Sequence, residues 1–187
     1  NGVDHDFFKP QNKEKKYDVV FTGNMGYPPN VDASEFLVNN IMPTVWKKHP
    51  NTKLLIAGAS PARKVLSLRS SKVVISGWMD DIRDAYAESK IFIAPMRIGT
   101  GLQNKLLEAM SMKIPTITTS LANDALTAKN RQEILIGDSA NELAENIIEL
   151  MEDSTLNEKI AEAGYKFVQK NHSWEKATEK LNVIINS

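Results

Sequence analysis

Short apolar runs alternate with longer amphipathic segments along the whole chain. Six runs rich in Val and Ile are predicted to be strands, at residues 18–23, 53–58, 73–76, 91–95, 115–119 and 133–137. These runs are apolar on both faces and helical patterns separate them, which is typical of parallel strands covered on both sides. The pattern therefore predicts an α/β fold: a doubly wound, mostly parallel, six-stranded Rossmann-like sheet, built as one domain from residues 1–187.

The spacing of apolar residues predicts helices in the segments between these strands. A helix is expected over residues 31–48 with a kink at Pro43, because proline removes a backbone donor and its ring crowds the preceding turn. Short helices are expected at 61–68 and 80–89, and another helix opens near Gly101. Three helices are expected to close the chain, at 139–153, 156–170 and 173–186.

Composition narrows the class of protein. Of the 187 residues, 42% are hydrophobic and 25% are charged, as in a globular protein with its own core. The 23 basic and 23 acidic residues cancel, which argues against a cationic nucleic-acid binder. There is no cysteine, which excludes disulfides and thiolate chemistry and suits a cytoplasmic protein. No apolar stretch has the length of a membrane span. No signal peptide is expected, and the first residues are expected to be a loop cut from a longer protein.

Ligands of doubly wound sheets bind beyond the carboxyl ends of the strands, so the loops there are the places to search. After the fourth strand, Gly99 and Gly101 flank Thr100 directly before a helix. Glycine lets the backbone approach a ligand closely, and the first turn of a helix offers unpaired N–H groups that favour an anion. This loop is a candidate phosphate site, although glycine before a helix is also common without any ligand.

The helix after this loop carries a polar stripe. At about 100° per residue, the residues on one side are Gly101, Asn104, Lys105, Glu108 and Ser111. Glu108 then lies about 10 Å along the axis from Gly101, a spacing suited to a carboxylate that accepts the ribose hydroxyls of a nucleotide whose phosphates bind at the glycines. The alternative is that Lys105 and Glu108 form an ordinary solvated ion pair. The residues alone leave both open.

Loops after the first three strands offer further candidates. Gly23 and Asn24 follow the first strand, and Asn24 could bind a phosphate or a sugar; the alternative is a plain Gly/Pro loop in which Asn30 caps the next helix. Gly58 offers a backbone donor after the second strand. Trp78, after the third, could pack on a base, but packing in the core is favoured.

Several chemistries find no support in the sequence. His5, His49 and His172 are scattered, none is at a strand end, and each is predicted to be a surface residue. No Ser-His-Asp set, paired histidines or clustered acids can be assembled, so neither a metal site nor a cofactor is expected. A dinucleotide fingerprint and a P-loop are also absent from the sequence.

The segment GTGLQNKLLEAMSMKIPTITTS strongly resembles the donor-site segment of retaining glycosyltransferases of family 4, which have the GT-B fold. NGVDHDFF, VVFTGNMGYPPNVDA, LLIAGASP, VVISGWMDDIRDAYAESKIFIAP and the terminal HSWEKATEKL fit the same family in the same order. The resemblance implies that residues 1–187 form the C-terminal, donor-binding half of such an enzyme, with the acceptor-binding N-terminal domain absent from this chain.

The same resemblance assigns roles. The second Glu of the family's Glu-x(7)-Glu pattern falls on Glu108, which implies ribose binding, and the first falls on Thr100. The family's Arg and Lys after the first strand are replaced by Asn24 and Pro29, which leaves Lys105, and secondarily Arg97, to meet the diphosphate. The predicted catalytic residues are Lys105 and Glu108. The predicted donor-binding residues are Gly23, Asn24, Gly58, Arg97, Gly99, Thr100, Gly101, Leu102, Asn104, Lys105 and Glu108.

The function implied by the resemblance is retaining transfer of a hexosyl group from a UDP- or GDP-type nucleotide sugar to a saccharide or lipid-linked acceptor, as in polysaccharide biosynthesis. The expected partners are the nucleotide sugar, the acceptor and the missing N-terminal domain, without which the fragment is expected to be inactive. The expected location is cytoplasmic, with peripheral association of the full-length protein at the inner membrane face. The alternatives are one half of a GT-B-like sugar-nucleotide epimerase and a non-catalytic Rossmann-like regulatory domain.

Overall fold

Six parallel strands form the centre of the molecule, whose computed structural model describes residues 2–99 and 101–172. The strands are β1 (Tyr17–Thr22), β2 (Leu54–Ala57), β3 (Val73–Ile75), β4 (Ser89–Ala94), β5 (Thr116–Thr118) and β6 (Leu135–Ile136). They lie in the order β3-β2-β1-β4-β5-β6, and every neighbouring pair is parallel. The predicted α/β, six-stranded, Rossmann-like sheet is confirmed.

Helices connect the strands and cover the sheet. They are α1 (Pro28–Phe36), α2 (Met42–Lys48), α3 (Arg63–Leu66), α4 (Arg83–Ala87), α5 (Asn104–Ser111), α6 (Ser120–Asn123), α7 (Ala140–Glu152) and α8 (Ser154–Asn171). Helix α6 was not predicted, because its four residues are too few to show a helical period. The predicted helix at 173–186 lies outside the described residues.

A π-helical turn, Leu37–Ile41, joins α1 to α2 and explains how the predicted helix passes Pro43. Proline cannot donate to the preceding turn, and its ring would meet the carbonyl four residues back. In the π turn the Met42 N–H donates to the Leu37 carbonyl, which widens the turn just before the proline. The segment therefore continues from 28 to 48 as two α-helices around an inserted π turn.

The sheet is buried on both faces. All four residues of β2 are buried, as are the last four of β1 and of β4. Successive residues of a strand point to opposite faces, so an unbroken buried run requires cover on both sides. The central strands are thus held rigidly, and their carboxyl ends form a fixed platform for the loops that follow.

The segment before β1 packs against α5 and α8. Val3 is buried and its N–H donates to the His172 carbonyl at 2.9 Å. His5 is half-buried, with Nδ1 2.9 Å from Ser111 Oγ, so the prediction that it is a surface residue is wrong. Burial lowers the pKa of His5. Ser111, placed by the helical wheel on the polar side of α5, is fully buried beneath this segment and donates to the Phe8 carbonyl.

Candidate functional site

A cavity of about 540 Å³ opens at the carboxyl ends of β1, β2 and β3 and at the start of α5. The chain order of the strands reverses between β1 and β4, and doubly wound sheets bind ligands at such a switch point. The residues that line the cavity are Phe7, Thr22, Gly23, Asn24, Tyr27, Asn30, Gly58, Ala59, Trp78, Met79, Asp80, Asp81, Ile82, Gln103, Asn104, Lys105 and Glu108.

Gly23 and Gly58 bring two strand-end loops into direct contact. Gly58 has φ +137°, and a Cβ atom there would overlap the carbonyl group of Gly23. The Gly23 N–H in turn donates to the Ala57 carbonyl at 3.0 Å. Both glycines line the cavity, and a glycine is required at position 58 by the close approach of the two backbones.

Asn30 lines the cavity, and the interpretation that it caps the next helix is wrong. It lies inside α1, whose N-cap is Tyr27, and it is only 5% exposed. Its Nδ2 donates to the Asn24 carbonyl at 2.9 Å, and its Oδ1 accepts a hydrogen bond from Lys105 Nζ. The Asn24 side chain accepts from the Gly26 N–H at 3.0 Å, which shapes the loop at the cavity edge. Asn30 therefore links this loop to the cation of α5.

Helix α5 begins three residues later than predicted. Its N-cap is Gln103 and its first residue is Asn104, because Gly99 and Gly101 have φ values of +115° and +83°, which no right-handed helix accepts. Of the residues around the predicted phosphate loop, Asn104, Lys105 and Glu108 line the cavity. Gly99, Gly101 and Leu102 do not, and Thr100 lies outside the described residues.

Lys105 presents a desolvated ammonium group to the cavity. Nζ lies 4.8 Å from the centre of the Phe21 ring and 4.0 Å from Met96 Sδ, and a Cβ atom on Gly23 would be 3.2 Å from it. Burial lowers the pKa of Lys105 to about 8, although the charge of Glu108 acts in the opposite direction. The loop after β1 thus faces a cation that comes from α5 rather than from the loop itself.

Glu108 is held by a buried tyrosine. Tyr86 Oη donates to Glu108 Oε2 at 2.6 Å, and Thr22 Oγ1 lies 2.8 Å from the same Tyr86 oxygen. Burial raises the pKa of Glu108, while the Tyr86 hydrogen bond and the Lys105 charge lower it. Lys105 and Glu108 are each bonded to a different partner and both are partly buried, so the solvated ion pair considered above is not what forms.

Arg97, the second candidate cation, is directed elsewhere. Its guanidinium group binds Asp32 with an N–O distance of 2.6 Å and lies 4.3 Å from the centre of the Phe36 ring. It does not line the cavity. Of the two cations considered for an anion at this site, the structure brings only Lys105 to the cavity wall.

Exposed aromatic rings surround the mouth of the cavity. Trp78 is 75% exposed, so the favoured prediction that it packs in the core is wrong. Tyr27 and Phe7 are 56% and 44% exposed and line the same cavity. Phe7 belongs to the segment before β1, and the Arg83 guanidinium carbon lies 3.9 Å from the centre of its ring. This stacking holds the Phe7 ring in place. Exposed aromatic rings thus lie beside exposed polar residues such as Asn24 and Asp80 in the cavity lining, whereas Lys105 and Glu108 are partly buried.

Sequence reasoning did not identify Thr22, Tyr86 or Asn30 as parts of the site. Thr22 and Asn30 flank the loop after β1, so a fuller search of that loop for polar side chains would have found them. Tyr86 is 22 residues from Glu108 and lies in a helix that reads as an ordinary connector. No local pattern indicates that it reaches the carboxylate.

No cluster of three or more His, Cys, Asp or Glu side chains suited to a metal ion occurs in 2–99 and 101–172. In the same part of the chain, no helix has the length and apolar character needed to cross a membrane.

Comparison with known sequences gives a consistent assignment. The family described as glycosyl transferases group 1 matches residues 16–153. The capsular polysaccharide biosynthesis glycosyltransferase CapM of Staphylococcus aureus is 24% identical over 202 residues, covering 100% of this chain and 53% of CapM. A GDP-mannose-dependent monoacylated alpha-(1-6)-phosphatidylinositol monomannoside mannosyltransferase of Corynebacterium glutamicum is 28% identical over 159 residues, covering 78% of this chain and 42% of the relative. The chain spans about half the length of the curated relatives it matches.

Solved structures show the same fold. S. aureus TarM superposes with a TM-score of 0.82 at 17% identity, covering 100% of this chain and 38% of TarM. The C-terminal domain of the Francisella tularensis group 1 glycosyl transferase LpcC gives 0.73 at 21% identity, covering 92% of this chain and 100% of that domain. Anabaena HepE in complex with UDP and glucose gives 0.81 at 13% identity, covering 100% of this chain and 55% of HepE. The fold is that of the C-terminal half of a GT-B glycosyltransferase, as predicted.

Proposed function

The chain belongs to the glycosyl transferases group 1 family, and we propose that it is the donor-binding domain of an enzyme that transfers a hexosyl group from a UDP- or GDP-type sugar. One observation carries the proposal. Lys105 and Glu108, one helical turn apart on α5, both face the cavity at the strand ends, and each is held by a buried partner.

The two side chains suit the two ends of a nucleoside diphosphate. The diphosphate binds beside Lys105 and the first turn of α5, where a cation lies next to a helix N-terminus that no side chain caps. The ribose then lies further along α5, with its two hydroxyls donating to the Glu108 carboxylate. The exposed ring of Trp78 lies at the rim, within the same cavity, as a surface for the base.

The chemistry follows from where charge develops. When the glycosyl bond to the diphosphate breaks, negative charge grows on the leaving phosphate, and the Lys105 ammonium and the α5 N–H groups stabilise it. Glu108 fixes the ribose and so positions the phosphate. The proposed reaction retains the anomeric configuration, as in family 4, and needs no metal or cofactor.

The remaining parts of the activity are proposed for the whole protein. A separate N-terminal domain binds the acceptor and closes over the cleft, so that residues 1–187 alone bind the donor but do not turn over. The acceptor is a saccharide or a lipid-linked sugar, and the enzyme works on the cytoplasmic side, associated peripherally with the membrane. The CapM and mannosyltransferase relatives support this class of acceptor by their names.

An epimerase half is the weaker candidate. It would need catalytic acids and histidines at the cleft, and the described residues that line the cavity include no histidine. Asp81 is bound by Arg83 at 2.6 Å, which holds the pKa of Asp81 below its usual range. This carboxylate is therefore placed as the partner of an arginine rather than as a proton donor.

Calorimetry of UDP and GDP binding to the complete protein that contains this chain tests the proposal. Glu108→Ala is expected to weaken the preferred nucleotide about tenfold or more, through loss of charged hydrogen bonds. Lys105→Met is expected to do the same. The matched control is Arg97→Met, which removes a cation that does not line the cavity and is expected to change affinity less than about twofold. Equal affinity in wild type and Glu108→Ala would remove the ribose role, and no binding at millimolar nucleotide would favour a non-catalytic regulatory domain.

A further inference from the structure

A buried hydroxyl group stands behind the carboxylate of the cavity. Tyr86, on α4, is 0% exposed, and its ring packs against Phe92 at 5.6 Å and Phe8 at 6.3 Å between centroids. Its Oη lies between Glu108 Oε2 at 2.6 Å and Thr22 Oγ1 at 2.8 Å. Three elements, β1, α4 and α5, thus meet at one phenol oxygen.

The direction of these hydrogen bonds follows from chemistry. An ionised carboxylate can only accept, so Tyr86 donates its single proton to Glu108. The Tyr86 oxygen is then free to accept, and Thr22, whose hydroxyl can donate, completes the series. Burial and the Glu108 charge raise the pKa of Tyr86 well above its ordinary value, so the phenol keeps this proton.

We infer that Tyr86 is a positioning residue that fixes the Glu108 carboxylate for two adjacent hydroxyls and so sets the preference for ribose over 2′-deoxyribose. The inference rests on the proposed nucleotide site. Tyr86 occupies one acceptor position on Oε2, and the remaining acceptor positions of the carboxylate serve the cavity that Glu108 lines. Because Tyr86 is held by packing, the carboxylate is oriented before the ligand arrives, and a pair of hydroxyls gains more from fixed acceptors than one hydroxyl does.

The test compares a ribonucleotide with its 2′-deoxy counterpart. Calorimetry on the complete protein measures its affinity for UDP and for 2′-deoxy-UDP, or for GDP and 2′-deoxy-GDP if GDP binds more tightly. Tyr86→Phe keeps the ring and is expected to weaken the ribonucleotide about tenfold while changing the deoxynucleotide less than about twofold. Tyr165→Phe is the matched control, because its hydroxyl accepts from Gln169 on α8 and does not line the cavity.

A double-mutant cycle separates positioning from a general loss of structure. In a Glu108→Ala background, Tyr86→Phe is expected to change ribonucleotide affinity less than about twofold, since its partner is gone. Thr22→Val is a second variant that keeps the shape of the side chain and removes only its hydroxyl; it is expected to lower the ribose preference about twofold to threefold.

The outcomes are distinguishable. Equal weakening of both nucleotides by Tyr86→Phe, or additive effects in the cycle, would mean that Tyr86 is only structural and would overturn the inference. If Tyr86→Phe does not fold, an unchanged ribose preference in Thr22→Val overturns it instead. If wild type shows no ribose preference and Glu108→Ala has no effect, the nucleotide site itself is wrong. If Glu108→Ala abolishes the preference for ribose and Tyr86→Phe retains it, the nucleotide site stands and only the proposed role of Tyr86 is wrong.

Discussion

The charge on Lys105 changes within the pH range in which the protein would be assayed. Burial lowers the pKa of this lysine to about 8. At that pKa about 90% of the side chain is protonated at pH 7 and about 10% at pH 9. A bound diphosphate favours the ammonium form, so the pKa of Lys105 rises on binding and the protein takes up a proton. If only the ammonium form binds, affinity levels off well below pH 8 and falls as pH rises through 8.

The expected change in nucleotide affinity with pH follows from these protonated fractions. Between pH 7 and pH 9 the dissociation constant should rise about tenfold, which is about 1.4 kcal/mol of binding free energy. At pH 8 about half of a proton should be taken up per nucleotide bound. The phosphate groups of the ligand titrate near pH 6 and are already ionised throughout this range.

Calorimetry in two buffers with different ionisation enthalpies measures both quantities, because the difference in apparent heat reports proton uptake directly. Lys105→Arg is the matched variant: it keeps a cation that does not deprotonate below about pH 12, so its affinity should be independent of pH from 7 to 9. Wild-type affinity that stays flat from pH 7 to 9, or Lys105→Arg with the same slope as wild type, would refute the reasoning.

Two further predictions concern the walls of the cavity. Gly58→Ala should lower the free energy of unfolding by about 2–4 kcal/mol in chemical denaturation, because the new Cβ overlaps the Gly23 carbonyl and φ is positive. Gly101 has open space around it, so Gly101→Ala should lower the free energy of unfolding by only about 1 kcal/mol. Equal destabilisation by the two substitutions would contradict the close approach of the loops. Trp78→Ala should weaken nucleotide binding about fivefold to tenfold without lowering the melting temperature, because the ring is 75% exposed. Trp46→Ala, which removes a ring packed on the core, should lower the melting temperature and leave nucleotide affinity unchanged. Unchanged affinity in Trp78→Ala would rule out the base-stacking role of Trp78.

The architecture could be predicted because the periodicity is local. Each central strand is a buried run that needs no knowledge of its neighbours, and parallel order follows from the helices between the runs. The orientation of Lys105 and Glu108 toward one side of α5 also follows from a period of 3.6 residues.

The rest of the site depends on conformations and on contacts distant in sequence. The start of α5 was placed too early, because the sequence shows that Gly99 and Gly101 can adopt positive φ but not that they do. The position of Arg97 depends on Asp32, 65 residues away in α1. The Tyr86 hydroxyl reaches Glu108 only through the packing of α4 beside β4. In each case tertiary geometry decides, and a single sequence read by its local pattern does not contain it.

The placement of Lys105 on α5 affects which parts of this site can vary in sequence during evolution. Lys105 and Glu108 share one short helix, so the spacing of their Cα atoms is a property of helical geometry and not of any loop. Replacements in the turn after β1 can alter the shape of the cavity wall without altering that spacing. Such an arrangement lets exposed side chains of that turn, such as Tyr27 and Pro28, diverge while the spacing of the two helix positions that meet a charged, hydroxyl-bearing ligand stays constant.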